Sequence, residues 1–126
     1  MAEIEFQLIH GLVIGEENTA MKDCVLREVT TKDLIESQEA AEKLANTEDG
    51  PQWVASPTVM NNETLRRQIV RIGNYQGPFS IDDLKRLHKV DYDLINARAD
   101  ELETASLAAS KAVAQRGRTE QDGDTT

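Results

Sequence analysis

Between Cys24 and Leu44 the hydrophobic pattern changes period, and that change decides which fold classes are open to the chain. Upstream, IEFQLIHGLVI (4–14) is rich in β-formers, and Phe6 and Leu8 alternate with Glu5 and Gln7. That is the period of two expected of a strand with one buried face. The polar GEENTAMKD (15–23) interrupts the pattern and CVLREV (24–29) resumes it. Two β-forming runs around a polar loop predict an antiparallel hairpin over 4–29. Gly11 marks a bend or bulge in its first strand.

Downstream the spacing becomes helical. In TTKDLIESQEAAEKLAN (30–46), Thr30 or Thr31 is placed to cap, and Asp33 and Glu36 lie near the positive end of the helix dipole. Leu34, Ile35, Ala41, Leu44 and Ala45 share one stripe. Residues 47–61, TEDGPQWVASPTVMN, are expected to form an ordered crossing loop, because Trp53, Val54, Val59 and Met60 are too apolar for a flexible spacer. NETLRRQIVRIGNY (62–75) then reads as a helix capped by Asn61 or Asn62, with Leu65, Ile69 and Ile72 on one face. Ser80 and Asp83 form a capping-box-like start for the next helix. From Asp91 to Ala114 an Ala-rich helical pattern carries Leu94, Ile95, Leu102 and Val113.

The predicted fold is therefore α+β: an N-terminal antiparallel β-hairpin followed by about four α-helices, the last long and Ala-rich. A single domain spans 1–114, with helices at about 31–46, 62–74, 81–89 and 91–114. The stretch after Ala114 has no apolar residue and reads as a disordered polar tail over 115–126.

Charge narrows the choice of partner. The net charge of −9 arises from 23 acids against 14 bases, and such a field repels phosphate backbones, so nucleic acid is not expected as a partner. The run SIDDLKRLHKVDYDLINARA (80–99) has the hydrophobic spacing of a helix-turn-helix. Its would-be reading helix, however, carries Asp91, Asp93, Asp100 and Glu101. A single cysteine, Cys24, excludes an internal disulfide and reads as a buried apolar residue. The N-terminal segment has no basic region ahead of its apolar run, and no apolar run approaches the ~20 residues of a membrane span. No membrane partner is expected, and the cytoplasm is the expected compartment.

The densest cluster of chemistry-bearing residues is HKVDYD, where His88, Asp91 and Asp93 lie close in sequence. A metal site there would need a further strong ligand, and the other histidine, His10, falls in a predicted strand. The favoured reading is a joint between helices, with His88 ending one and Asp91 capping the next. No nucleophile–base pattern is evident around Cys24, so neither catalysis nor a cofactor is expected. Candidate partner-contacting residues are Trp53 in the crossing loop, the same-face pair Arg67 and Arg71, and Leu94, Ile95, Leu102 and Val113 on the last helix. For the apolar ones, core packing is the competing role. The Ala-rich packing face also leads us to expect self-association into a homo-oligomer.

Three features together carry a resemblance: the early Gly11, Leu26-Arg27-Glu28 followed by Asp33, and a late Leu84, Leu87, Asp91, Tyr92 and Leu94-Ile95. In this order, over roughly residues 5 to 103, they resemble the tail assembly chaperones of Mu-like contractile-tailed bacteriophages. The resemblance implies a non-enzymatic protein that binds and solubilises the tape measure protein and helps recruit tail tube subunits. It also implies an assembly factor acting in the host cytoplasm and absent from the mature virion. Two other classes stay open on the residues alone. One is a structural neck or tail completion protein of the virion, and the other is an acidic adaptor or regulator binding a host protein.

Overall fold

The computed structural model describes residues 2–13, 19–48 and 50–125; for 43–47, 53, 55 and 114–125 it describes the backbone alone. The hairpin forms as expected, from β1 (Glu3–Leu12) and β2 (Met21–Arg27) in antiparallel pairing. Phe6 faces Cys24 and Ile4 faces Leu26 across it. Of the predicted connecting loop 15–23, residues 15–18 lie outside the described set, as does residue 14 at the end of the predicted strand. The register shifts between Gln7 and Leu12, and Gly11 there has φ +83°. A Cβ at Gly11 would come within 2.9 Å of both Ala20 Cβ and Met21 O, so only glycine fits this bend.

The hairpin is half of a larger sheet. β5 (Ile69–Ile72) pairs antiparallel with β2, and β6 (Tyr75–Gln76) pairs with β5, which gives the order β1-β2-β5-β6. The sequence pattern assigned 62–74 to one helix; α2 instead covers Pro57–Gln68 and gives way to strand at Ile69. Leu65, Ile69 and Ile72 are buried in either conformation, so hydrophobic spacing alone did not distinguish them. The β-branched run Ile69-Val70-Arg71-Ile72 and the open position beside β2 decide for strand. The start of α2 also differs from expectation. Ser56 caps it, accepting the Val59 N–H, and Pro57 occupies the first turn where its missing N–H costs nothing.

α1 (Thr31–Ala41) ends five residues earlier than the expected 46. Glu42 turns to extended backbone, and β3 (Glu42–Thr47) pairs with β4 (Gly50–Ala55) as a separate two-stranded sheet. Thr47 faces Gly50 across the closing turn, and Gly50 has φ +102°. The expected end of the helix at 46 thus falls inside a second hairpin. The expected crossing loop 47–61 is largely strand β4 and the first turn of α2.

Both capping boxes are present. Thr30 Oγ1 accepts the Asp33 N–H while Asp33 accepts the Thr30 N–H, and Ser80 and Asp83 do the same for the short α3 (Ile81–Lys85). α4 (Lys89–Thr125) begins before Asp91 and continues past 114, through the stretch expected to be a disordered tail; of 114–125 only the backbone course is described. α4 packs across β1 and β2, and α2 packs on α1. The core between them holds Leu8, Leu12, Cys24 and Leu26 from the hairpin, Leu65, Ile69 and Ile72 from the middle, and Ile95, Ala99 and Leu102 from α4. Burial pushes the Cys24 thiol up to about 12, so it stays protonated and serves as a small apolar side chain.

One ion pair links three elements. Arg27 reaches from the end of β2 to Asp33 in a two-pronged contact at 2.6 and 3.0 Å, and also donates to the Arg67 carbonyl at the end of α2. Hydrogen bonds from Arg27 and from Thr30 hold the nearly buried Asp33 carboxyl at about 2, down from 3.8. Because the folded value lies below the unfolded one, this stabilisation is complete above pH 4 and is lost as pH falls from about 4 to about 2. It amounts to roughly 2 kcal/mol. In urea titrations across that pH window, Asp33→Asn should be less stable than the parent at neutral pH and should lose less stability on acidification. Parallel pH profiles for the two proteins would contradict the assignment.

Candidate functional site

The HKVDYD joint resolves into three side chains with three separate tasks. His88 stands ahead of α4, where its Nδ1 accepts the Val90 N–H at 3.1 Å and its carbonyl accepts the Tyr92 N–H. It therefore starts the last helix rather than ending α3. Its ring stacks on that of His10, with centroids 3.7 Å apart and planes 19° from parallel. Asp93 turns outward and pairs with Lys89 at 2.8 Å. Asp91 turns inward and is completely buried. Among the described residues, no group of three or more His, Cys, Asp or Glu side chains could hold a metal ion.

Asp91 does not cap α4. Its Oδ1 accepts the Ile9 N–H at 2.7 Å, its Oδ2 accepts the Gly11 N–H at 2.9 Å, and the His10 N–H lies 3.1 and 3.3 Å from the two oxygens. The bend at Gly11 is what frees these amides, since the β1–β2 ladder is interrupted between Gln7 and Leu12. A carboxylate is an acceptor at both oxygens, so it satisfies three successive donors, and the first turn of α4 adds a favourable dipole. Asp91→Asn would aim an NH₂ at one or more of those donors. We expect a loss of about 2–4 kcal/mol and much faster hydrogen exchange at the amides of residues 9 to 11. Unchanged exchange there would show that the carboxylate does not hold the bend.

The expected contact residues scatter. Ile95 and Leu102 lie in the core at 0 % and 4 % exposure, and Leu94 is half-buried. Arg67 is bound by Glu63 and Glu36, and Arg71 by Glu5 and the Gly73 carbonyl, so this basic pair is engaged within the chain. Glu63 is pushed up by burial, but the hydrogen bonds from Arg67 and Arg66 outweigh this and leave it below its ordinary value. The Trp53 side chain lies outside the described residues. Val113 alone of the α4 candidates is well exposed. Accordingly, Leu102→Asp should unfold the domain at a cost above about 3 kcal/mol, whereas Val113→Asp should leave the melting curve where it is. Circular dichroism melts would decide, and a folded Leu102→Asp protein would remove Leu102 from the core.

What remains accessible is apolar surface. Ile9, Val13 and Val90 are exposed on β1, just beyond it and at the start of α4; Leu34 and Ile35 are exposed on α1, and Leu107 and Val113 on the far part of α4. Between α2, α3 and α4 lies a cavity of about 310 Å³ lined by Ile81, Leu84, Leu87 and Tyr92, with Lys85 and Lys89 among its lining residues.

The chain is a small α+β domain with capped joints, a buried structural carboxylate and scattered apolar surface. The profile of tail assembly protein gp41 of the Mu type matches residues 8–118, and the chain belongs to that family. The probable tail assembly protein gp41 of Escherichia phage Mu is 40 % identical over 96 residues, 76 % of this chain and 66 % of its own length. The probable tail assembly protein FS-gp41 of the same phage is also 40 % identical over 96 residues, but these make up 50 % of its length. The Mu-like prophage FluMu protein gp41 of Haemophilus influenzae is 37 % identical over 116 residues, 91 % of this chain and 87 % of its own. The chain thus spans between half and two-thirds of the length of the two phage Mu relatives. No solved structure matches.

Proposed function

We propose that this protein is a bacteriophage tail assembly chaperone that binds the tape measure protein, keeps it soluble, and helps bring tail tube subunits to it. The observation that carries this reading is exposed apolar surface on a strongly acidic domain of a tail assembly family. A tape measure is a long helical chain with apolar stripes, and side chains such as Leu34, Ile35, Leu107 and Val113 offer complementary ridges on helices α1 and α4. The net charge of −9 would keep such complexes apart in solution.

The role is binding rather than catalysis. The buried carboxylate and the paired arginines are engaged by the fold itself, and the thiol is held protonated. In this reading the protein works in the host cytoplasm and leaves before the virion is complete. Co-expression with the tape measure protein of the same phage tests it: the tape measure should move from the insoluble to the soluble fraction and co-purify with the chain. A tape measure that stays insoluble and unbound would refute the chaperone role. Recovery of the chain from purified mature particles would instead favour a structural neck or tail completion role.

A further inference from the structure

The cavity between α2, α3 and α4 has an apolar floor and a basic mouth. Ile81, Leu84, Leu87 and Tyr92 line it, and the side chains of Lys85 and Lys89 are 73 % and 84 % exposed. Lys85 lies 3.8 Å from Asp82 and Lys89 lies 2.8 Å from Asp93, both on open surface. Exposed pairs of this kind hold their partners weakly, so both ammonium groups can turn to an incoming acid. The site therefore fits an apolar side chain with an acidic neighbour.

This chain carries such a group. After Leu102, α4 has no buried side chain through Val113, and Leu107 stands 56 % exposed. Glu103 lies four residues before it, one turn away on the same face. Leu107 cannot enter the cavity of its own chain. Lys89, at the cavity mouth, and Leu107 lie on one helix, and 107 − 89 = 18 residues separate them. At 1.5 Å per residue that is about 27 Å, and at 3.6 residues per turn it is about five full turns, so both face the same side. We propose that Leu107 of one copy seats in the α2–α3–α4 cavity of a second copy, with Glu103 of the first copy against Lys85 and Lys89 of the second. Donor and acceptor share one side of one helix, so the contact can close as a reciprocal pair or repeat head to tail. The acidic domain otherwise repels its own copies, and this contact opposes acids of one copy to bases of the other.

The test is the mass of the full chain by sedimentation equilibrium, from micromolar to submillimolar concentration. The wild-type mass should rise above that of one chain. Leu107→Asp, the double variant Lys85→Glu/Lys89→Glu, and Glu103→Lys should each weaken association about tenfold or more. All four positions are solvent-exposed, so unaltered melting curves are expected and exclude misfolding as the cause. Mixing Glu103→Lys with Lys85→Glu/Lys89→Glu should restore association, because the altered tail then meets a cavity mouth of opposite charge. A wild-type chain that stays monomeric, leaving the cavity to a different protein, overturns the proposal. So does association that Leu107→Asp does not weaken, or a mixture no stronger than its separate components.

Discussion

Asp91 joins the two ends of the fold. It stands one turn into α4 yet is satisfied by amides of β1, about eighty positions earlier in the chain. The arrangement needs both partners to be irregular in a matched way. β1 must break its ladder near Gly11 to expose three N–H groups, and α4 must begin at Lys89 so that its third residue meets them. A buried carboxylate without such donors would cost several kcal/mol, and the three amides, shut off from ladder partners by the bend, would otherwise lack an acceptor in the chain. Each defect satisfies the other. Once the joint is set, Ile95, Ala99 and Leu102 follow at helical spacing onto Leu8, Leu12 and Leu26, so the core depends on where α4 starts.

A second joint does comparable work at the other side of the sheet. Arg27 ends β2, Asp33 sits in the first turn of α1, and the Arg67 carbonyl lies at the end of α2. Gln68 returns a hydrogen bond to the Arg27 carbonyl at 3.1 Å. The guanidinium supplies several fixed donors, so one side chain orients three elements at once. Its geometry explains why β5 can follow α2 directly: the end of α2 is already tied to β2, and the chain leaving Gln68 falls into place beside that strand.

What could be read from the residues divides by range of interaction. The Thr30 and Ser80 caps rest on contacts three positions apart, and the hairpin and the Gly11 bend announce themselves by residue pattern within one stretch of the chain, so each was legible. The β3–β4 hairpin was missed because Leu44 and Ala45 continue the α1 stripe, so a helical period masks the reversal that pairs Thr47 with Gly50. Strand β5 was missed because Ile69 and Ile72, three apart, suit a helix as well as they suit a twisted strand beside β2. The role of Asp91 was out of reach for a different reason. Its donors are backbone amides, which no sequence pattern displays, and only Gly11 hinted that some amides of β1 would lack a ladder partner.

The residues that carry the family resemblance are mostly those that build these joints. Leu26 and Ile95 are core, Arg27 pairs with Asp33, and Asp91 holds the bend that Gly11 makes. Their chemistry is exhausted inside the domain, which leaves little of it for a partner. Leu87 and Tyr92 differ: both are half-buried and both line the cavity beside Lys85 and Lys89, with Tyr92 donating its hydroxyl to Asn62 across the α2–α4 contact. They are therefore placed where scaffold and surface meet. The domain separates these tasks, with long-range polar joints fixing the frame and aliphatic side chains on α1, β1 and α4 left open to outside contacts. Those contacts follow from the frame, since the cavity exists only because α3 stops at Lys85 and α4 restarts four residues later, where the Asp91 clamp sets it.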